Sequence, residues 1–240
     1  MEFKNVEKLP IDIKDAVEKR VSVRSYEERS LTEEDRKKLM DFNETLTNPF
    51  DVKINVQYIS KENGAYDVKL GTYGTIKRAK DFLAITVKDE PFAMEAVGYQ
   101  FENLILYATS MGLGTVWLAA TFSRKDFENA MSISKEELFL CITPIGYPSA
   151  KTSIREKITR ASLGSKSRKA WNKLFYLENF ENNLSESDAK DYKNALEMFR
   201  LAPSSTNAQP WSVVKEGNKF HFFCNYKNNV NDDVKKIKHL

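Results

Sequence analysis

Residues 199–211 read Phe199-Arg200-Leu201-Ala202-Pro203-Ser204-Ser205-Thr206-Asn207-Ala208-Gln209-Pro210-Trp211, between a run of helical periodicity and a strand pattern. Pro203 and Pro210 each lack an amide hydrogen and bias the residue before them toward extended backbone, so the helix must end here. Between the prolines, Ser204, Ser205, Thr206, Asn207 and Gln209 concentrate short hydrogen-bonding groups that either cap the loop or face a polar ligand. Trp211 reads as a packing residue.

Working outward, the helix before this loop opens with Leu184-Ser185-Glu186-Ser187-Asp188, the pattern already met at Leu31-Thr32-Glu33-Glu34-Asp35, at an offset of 184 − 31 = 153 residues. In each, a hydroxyl at the cap position is followed three residues later by a carboxylate, a signature for a helix start. Each predicted helix leads to a polar turn with an aromatic after proline (Asn48-Pro49-Phe50 and Gln209-Pro210-Trp211) and then to a strand. The pattern is that of a divergent internal duplication. In the second copy, Ser212–Val214 and Phe220–Cys224 form a hairpin through Glu216-Gly217-Asn218.

The first copy is longer. A short helix follows Pro10 and ends near Arg20; a second runs from Thr32 to about Asp41, with a polar turn from Asn43 to Phe50. Val52, Ile54, Val56 and Tyr58 alternate with polar residues as a half-buried strand, and Phe82–Val87 reads as a buried one. Val97, Phe101, Leu104, Ile105 and Ala108 mark a helix from about Phe92 to Met111, ended by Gly112. Ser123 with Asp126 and Ser134 with Glu137 mark two further helix starts, and Leu138–Ile145 is a buried strand running into Gly146-Tyr147-Pro148. Residues 161–173 are polar and basic and read as a connection between two lobes.

Composition narrows the function classes. With 37 basic and 34 acidic residues over 240, the net charge of +3 gives no reason to expect nucleic acid or a membrane surface as partner. Cys141 and Cys224 stand far apart and the only histidines are His221 and His239, so neither a disulfide framework nor a zinc site is indicated. The charged N-terminus and the lack of a long apolar run lead to the expectation of a cytoplasmic protein.

Two segments carry chemistry. If Arg20-Val21-Ser22-Val23-Arg24 is extended, period-two alternation sends Arg20, Ser22 and Arg24 to one side and Val21 and Val23 to the other. Two guanidinium forks and a hydroxyl then suit a phosphate, while the plainer reading is a solvated segment with incidental ion pairs. In Gly112-Leu113-Gly114-Thr115, two glycines either admit a flat ligand close to backbone amides or simply end a helix before a strand.

Taken together, Arg20-x-Ser22-Val23-Arg24, the helix into Gly112-Leu113-Gly114-Thr115, Ile145-Gly146-Tyr147-Pro148 and Ala202-Pro203-Ser204-x-x-Asn207-x-Gln209-Pro210-Trp211 resemble the flavin-dependent nitroreductase family. The resemblance is to a small, Thermotoga-type subfamily with two diverged half-repeats in one chain. It implies an α+β fold with a central, mainly antiparallel sheet flanked by helices, arranged as a single-chain pseudo-dimer, with homo-oligomers expected. The first lobe would span residues 1–160, and the second, shorter lobe 161–240, lacking its final helix. By the resemblance, Arg20, Ser22 and Arg24, with Arg155, would hold the FMN phosphate and ribityl chain. Gly112, Leu113 and Gly114 would lie beside the ring system, and Pro203, Ser204 and Asn207 would contact the isoalloxazine from the other lobe. In the family at large the alanine-proline-serine loop precedes the glycine motif, whereas here it follows; complementary losses in the two copies account for that order. The implied activity is FMN-dependent transfer of hydride from NAD(P)H to a small-molecule acceptor, nitroaromatic or quinone-like, with no catalytic side chain required. A non-catalytic flavin sensor or carrier, and a flavin enzyme of different chemistry on the same fold, are the alternatives.

Overall fold

The computed structural model describes residues 8–61, 70–150 and 167–225. They fall into two compact units, one within Met1–Glu156 and the other within Lys157–His239. Arg155, His239 and residues 161–166 of the connection named above lie outside the described residues.

In the first unit, β1 (Ile54–Ser60), β2 (Asp81–Lys88), β3 (Gly114–Thr115) and β4 (Glu137–Gly146) form an antiparallel sheet in the order β1-β2-β4-β3. The sheet separates two apolar clusters. On one face Leu83, Ile85 and Val87 of β2 meet α2 (Glu33–Thr45) and α3 (Ala93–Ser110); α1 (Ile13–Lys19) packs on α3. On the other, Phe82 and Ala84 meet Val23, Tyr26, Val116, Leu118, Phe122 and Phe127, the last from α4 (Arg124–Ala130). In β4 the register against β2 shifts between Ile85 and Thr86, which pair with Cys141 and Phe139. Leu140 is therefore an extra residue, and this bulge lets the consecutive Leu140 and Cys141 join the same cluster.

The element ends follow local chemistry. Thr32 caps α2 by accepting from the Asp35 amide at 3.1 Å. The helix runs on to Thr45, so the polar turn shrinks to residues around Asn48. Asn48 is buried: its Oδ1 accepts from Phe50 and Val52 amides and its Nδ2 donates to the Val52 carbonyl and to Gln100 of α3. Ser134 and Glu137 form the expected reciprocal turn, the Ser134 amide donating to the Glu137 carboxylate at 3.0 Å, but no helix follows. The apolar run from Leu138 continues as β4 because tertiary burial in the sheet overrides the local cap signal.

In the second unit, β5 (Phe175–Leu177) runs parallel to β6 (Trp211–Glu216), which pairs antiparallel with β7 (Lys219–Cys224). With α5 (Lys193–Arg200) they enclose Leu174, Phe175, Leu184, Ala189, Leu196 and Val213. Trp211 packs on this cluster, its ring 5.6 Å from that of Phe199. Ser185 accepts from the Asp188 amide at 3.1 Å, the bond Thr32 makes in the first unit, but 3-10 turns precede α5 before the regular helix begins. Among the described residues no helix is long and apolar enough to cross a membrane.

Candidate functional site

The arginine segment begins where α1 ends. Arg20 is the C-cap of α1, its amide bonded to the Ala16 carbonyl at 2.8 Å. Beyond it the chain is extended and is held from three directions. The Val23 amide donates to the Thr115 carbonyl at 2.8 Å, beside a bridge of Ser22 to Thr115 in β3. The Arg24 carbonyl accepts from the Lys77 amide, and the Tyr26 amide donates to the Lys77 carbonyl. The Glu27 amide donates to the Tyr147 carbonyl, and the Ser25 carbonyl accepts from the Ser149 amide. Three of the four sequence pieces, around Arg20–Arg24, Gly114–Thr115 and Ile145–Pro148, thus meet in the first unit.

Glycines make this approach possible. A Cβ on Gly114 would lie 2.9 Å from Cβ, Cγ1 and Cγ2 of Val23, and one on Gly146, its partner across β3 and β4, would lie 3.3 Å from the Tyr26 ring. Gly114 is therefore the seat of the arginine segment. Val23 is 7 % exposed but Val21 is 50 % exposed, so the two valines that alternation puts on one side differ in burial. The stitching begins only at Ser22, and among the described residues no strand pairs with Val21 before it.

Gly112 has φ +78°, the left-handed conformation that ends α3. Its amide donates to Thr109 and that of Leu113 to Ala108, both at 2.9 Å, the paired bonds of a Schellman cap. Those two amides close the helix. This is the plainer of the two readings of the glycine pair, and a Cβ at Gly112 would meet nothing within 4 Å.

The charges divide. The Arg20 side chain is 8 % exposed, with Nε 3.6 Å from Glu102 Oε1 of α3, and the other Glu102 oxygen accepts from the Trp117 indole at 2.7 Å. Burial pushes the Glu102 carboxyl up, while Arg20 and the indole hydrogen bond pull it back. Arg24 is half-buried and Ser22 likewise, and both take part in interactions within the fold. Lys77 and Arg78 are exposed beside the segment, Arg78 donating to Ser149 Oγ at 2.9 Å. Sequence reasoning missed Glu102, Trp117, Lys77 and Arg78; no spacing joins them to Arg20, since the fold alone brings the pieces together.

The fourth piece belongs to the second unit, and its side chains are engaged with their own loop. Ser204 Oγ accepts from the Gln209 amide at 2.9 Å, and Asn207 Oδ1 accepts from Gln209 Nε2 at 3.3 Å. Asn207 Nδ2 donates to the Ser167 carbonyl at 3.2 Å. Buried Gln209 accepts at Oε1 from the Lys169 amide, and Lys169 Nζ donates to the Gln209 carbonyl, both at 2.7 Å. Arg168 donates to the Leu201 carbonyl at 3.1 Å. Thr206, Asn207 and Gln209 have φ of 53°, 55° and 46°, a strained run that these bonds hold in place. Pro203 is half-buried in the turn after α5. Among the described residues no group of three His, Cys, Asp or Glu side chains has the arrangement of a metal site.

Similarity agrees with this architecture. The crystal structure of a putative nitroreductase from Thermotoga maritima superposes with a TM-score of 0.53 at 21% identity, covering 91% of this chain and 78% of that one; the likeness concerns the fold. A nitroreductase family protein from Clostridium difficile 630 gives a TM-score of 0.49 at 19% identity, covering 65% of this chain and 97% of its own. A putative nitroreductase from Desulfovibrio desulfuricans, in complex with FMN, gives 0.48 at 17% identity, covering 63% and 96%. No match was found among curated proteins. The sequence itself matches the family described as "Putative TM nitroreductase" over residues 12–237, and the chain belongs to that family.

Proposed function

We propose that the chain is an FMN-dependent oxidoreductase that takes hydride from NAD(P)H and passes electrons to a small-molecule acceptor of nitroaromatic or quinone type. The observation that carries this reading is the convergence of Arg20, Ser22 and Arg24 with Gly114 and the end of β4 in one unit of a nitroreductase-family chain. The donor set fits the cofactor: guanidinium forks and a hydroxyl on one extended segment suit a phosphate better than any neutral group. The backbone bonds of Val23, Arg24 and Tyr26 fix that segment before any ligand arrives, which lowers the ordering cost of binding.

FMN, when bound, supplies the two-electron hydride chemistry. This chain would supply Arg20, Ser22 and Arg24 for the phosphate and the glycine stretch Gly112 to Gly114 beside the rings. Pro203, Ser204 and Asn207 enter the proposal through the family resemblance, as does Arg155. The pseudo-dimer reading rests on the repeated cap, proline turn and strand; the matching bonds at Thr32 and Ser185 support it.

An absorbance titration of the purified protein with FMN, followed by NADH or NADPH under anaerobic conditions, tests the reading. Flavin bands that bleach with reductant and return when an acceptor is added are expected. Bands that remain unbleached would make the protein a flavin carrier, and a protein that ignores FMN would refute the cofactor. Arg24→Ala should weaken FMN by about 2 kcal/mol, roughly thirtyfold, as a charge-assisted phosphate bond is lost. Unchanged affinity in that variant would remove Arg24 from the site.

A further inference from the structure

Arg20 is an unusual member of a phosphate-binding set, because it already has an anion. Its guanidinium is almost wholly buried, and its partner Glu102 is held in turn by the Trp117 indole. The contact is made at Nε, 3.6 Å from the carboxylate. A bound phosphate dianion would then share one guanidinium with a carboxylate in a region of low dielectric, where like charges repel strongly.

We propose that Glu102 competes with a phosphate for Arg20, and that the charge on Glu102 sets the pH range in which the arginine segment accepts a phosphate. This rests on the flavin reading above. Arg20 reaches Glu102 from the end of α1 and Trp117 from the segment after β3. Among the described residues, α2 and β2, which also pack on α3, bring it no further charged group. Burial already favours the neutral acid, and an arriving phosphate adds to that preference. Phosphate binding therefore takes up a proton at Glu102: affinity is highest where Glu102 is protonated and falls as pH rises through its titration.

The test compares FMN and riboflavin binding to the wild type and Glu102→Gln between pH 5 and pH 8. Glutamine keeps an oxygen for the Trp117 indole but carries no charge. At pH 8, Glu102→Gln should bind FMN about tenfold more tightly than the wild type, the gap closing toward pH 5. Because FMN itself titrates near pH 6, the wild-type to variant ratio at each pH is the quantity to read. Riboflavin, which lacks the phosphate, should show no such gap. A second measurement needs no change at Glu102: the Trp117 indole NH resonance, assigned with Trp117→Phe, follows the Glu102 titration, and saturating FMN should move its midpoint up by about one unit. FMN binding with a constant ratio and an unmoved midpoint would overturn the role of Glu102 while leaving the flavin reading intact. Failure of both proteins to bind FMN would overturn the flavin reading and this inference with it.

Discussion

At Gly114 a single hydrogen atom decides whether the arginine segment reaches β3. A methyl group there would sit 2.9 Å from three carbons of Val23, and Val23 is itself packed into the cluster beneath the sheet. Gly114→Ala should therefore cost about 1–3 kcal/mol in urea unfolding, the range for overpacking a filled core. Val23→Ala should recover only part of that, because the Val23 Cβ lies as close as its methyls. The same substitution should weaken FMN, since the displaced strand carries Ser22 and Arg24; an unchanged flavin affinity would separate the glycine from the site. Arg20, Ser22 and Arg24 stood out as candidates from local order alone, because residue type and alternation are properties of one short segment. Glu102 was not, since its contacts with Arg20 and Trp117 exist only once α1, α3 and the segment after β3 are packed.

Among the elements, α2 shows a helix cap completed from far along the chain. Thr32 and Asp35 have the capping-box spacing, and the Thr32 hydroxyl does accept from the Asp35 amide. The return bond is absent in its usual form: the Tyr147 hydroxyl accepts from the Thr32 amide at 3.2 Å and donates to Asp35 Oδ2 at 2.5 Å. Arg29 stacks over the same ring at 3.6 Å. Tyr147→Phe keeps the ring and removes the bridging hydroxyl, so a loss of about 1–3 kcal/mol is expected from two bonds at a partly covered helix start. Chemical denaturation measures it, and a neutral effect would mean that water replaces the phenol. The Ile145-Gly146-Tyr147-Pro148 piece, read from sequence for its resemblance, thus has a structural use in fastening β4 to α2. The helix start was legible and its tyrosine was not. The opposite error at Ser134 has a related cause, for a sound local cap was overruled by the sheet that buries Leu138–Ile145.

At the scale of the whole molecule, sequence periodicity marked the long helix α3, the buried strands and the hairpin of β6 and β7, because each has an apolar pattern of its own. The bulge at Leu140 was invisible, since its register exists only against β2. The apolar clusters respect the two units: Val23 to Ile145 supply the two on either side of the first sheet, and Leu174 to Val213 supply the third. Among the described residues, several ion pairs are exposed contacts along single helices, such as Lys37 with Asp41 and Lys38 with Glu34, and add little at this scale. Cooperative protection in each unit should therefore follow its own apolar cluster. Leu174 is wholly buried in the third, so Leu174→Ala should cost the second unit about 2–5 kcal/mol. Hydrogen exchange should show faster exchange throughout β5, β6 and α5, while the amides of β2 and β4 keep their wild-type rates. FMN titration of the same variant then apportions the cofactor: affinity unchanged despite the loosened loop at Ser204–Gln209 would place all the binding energy on the first unit, and weakened affinity would support the contribution of Ser204 and Asn207 that the family resemblance implies. Equal acceleration in both units would instead mean that the chain unfolds as one cooperative body.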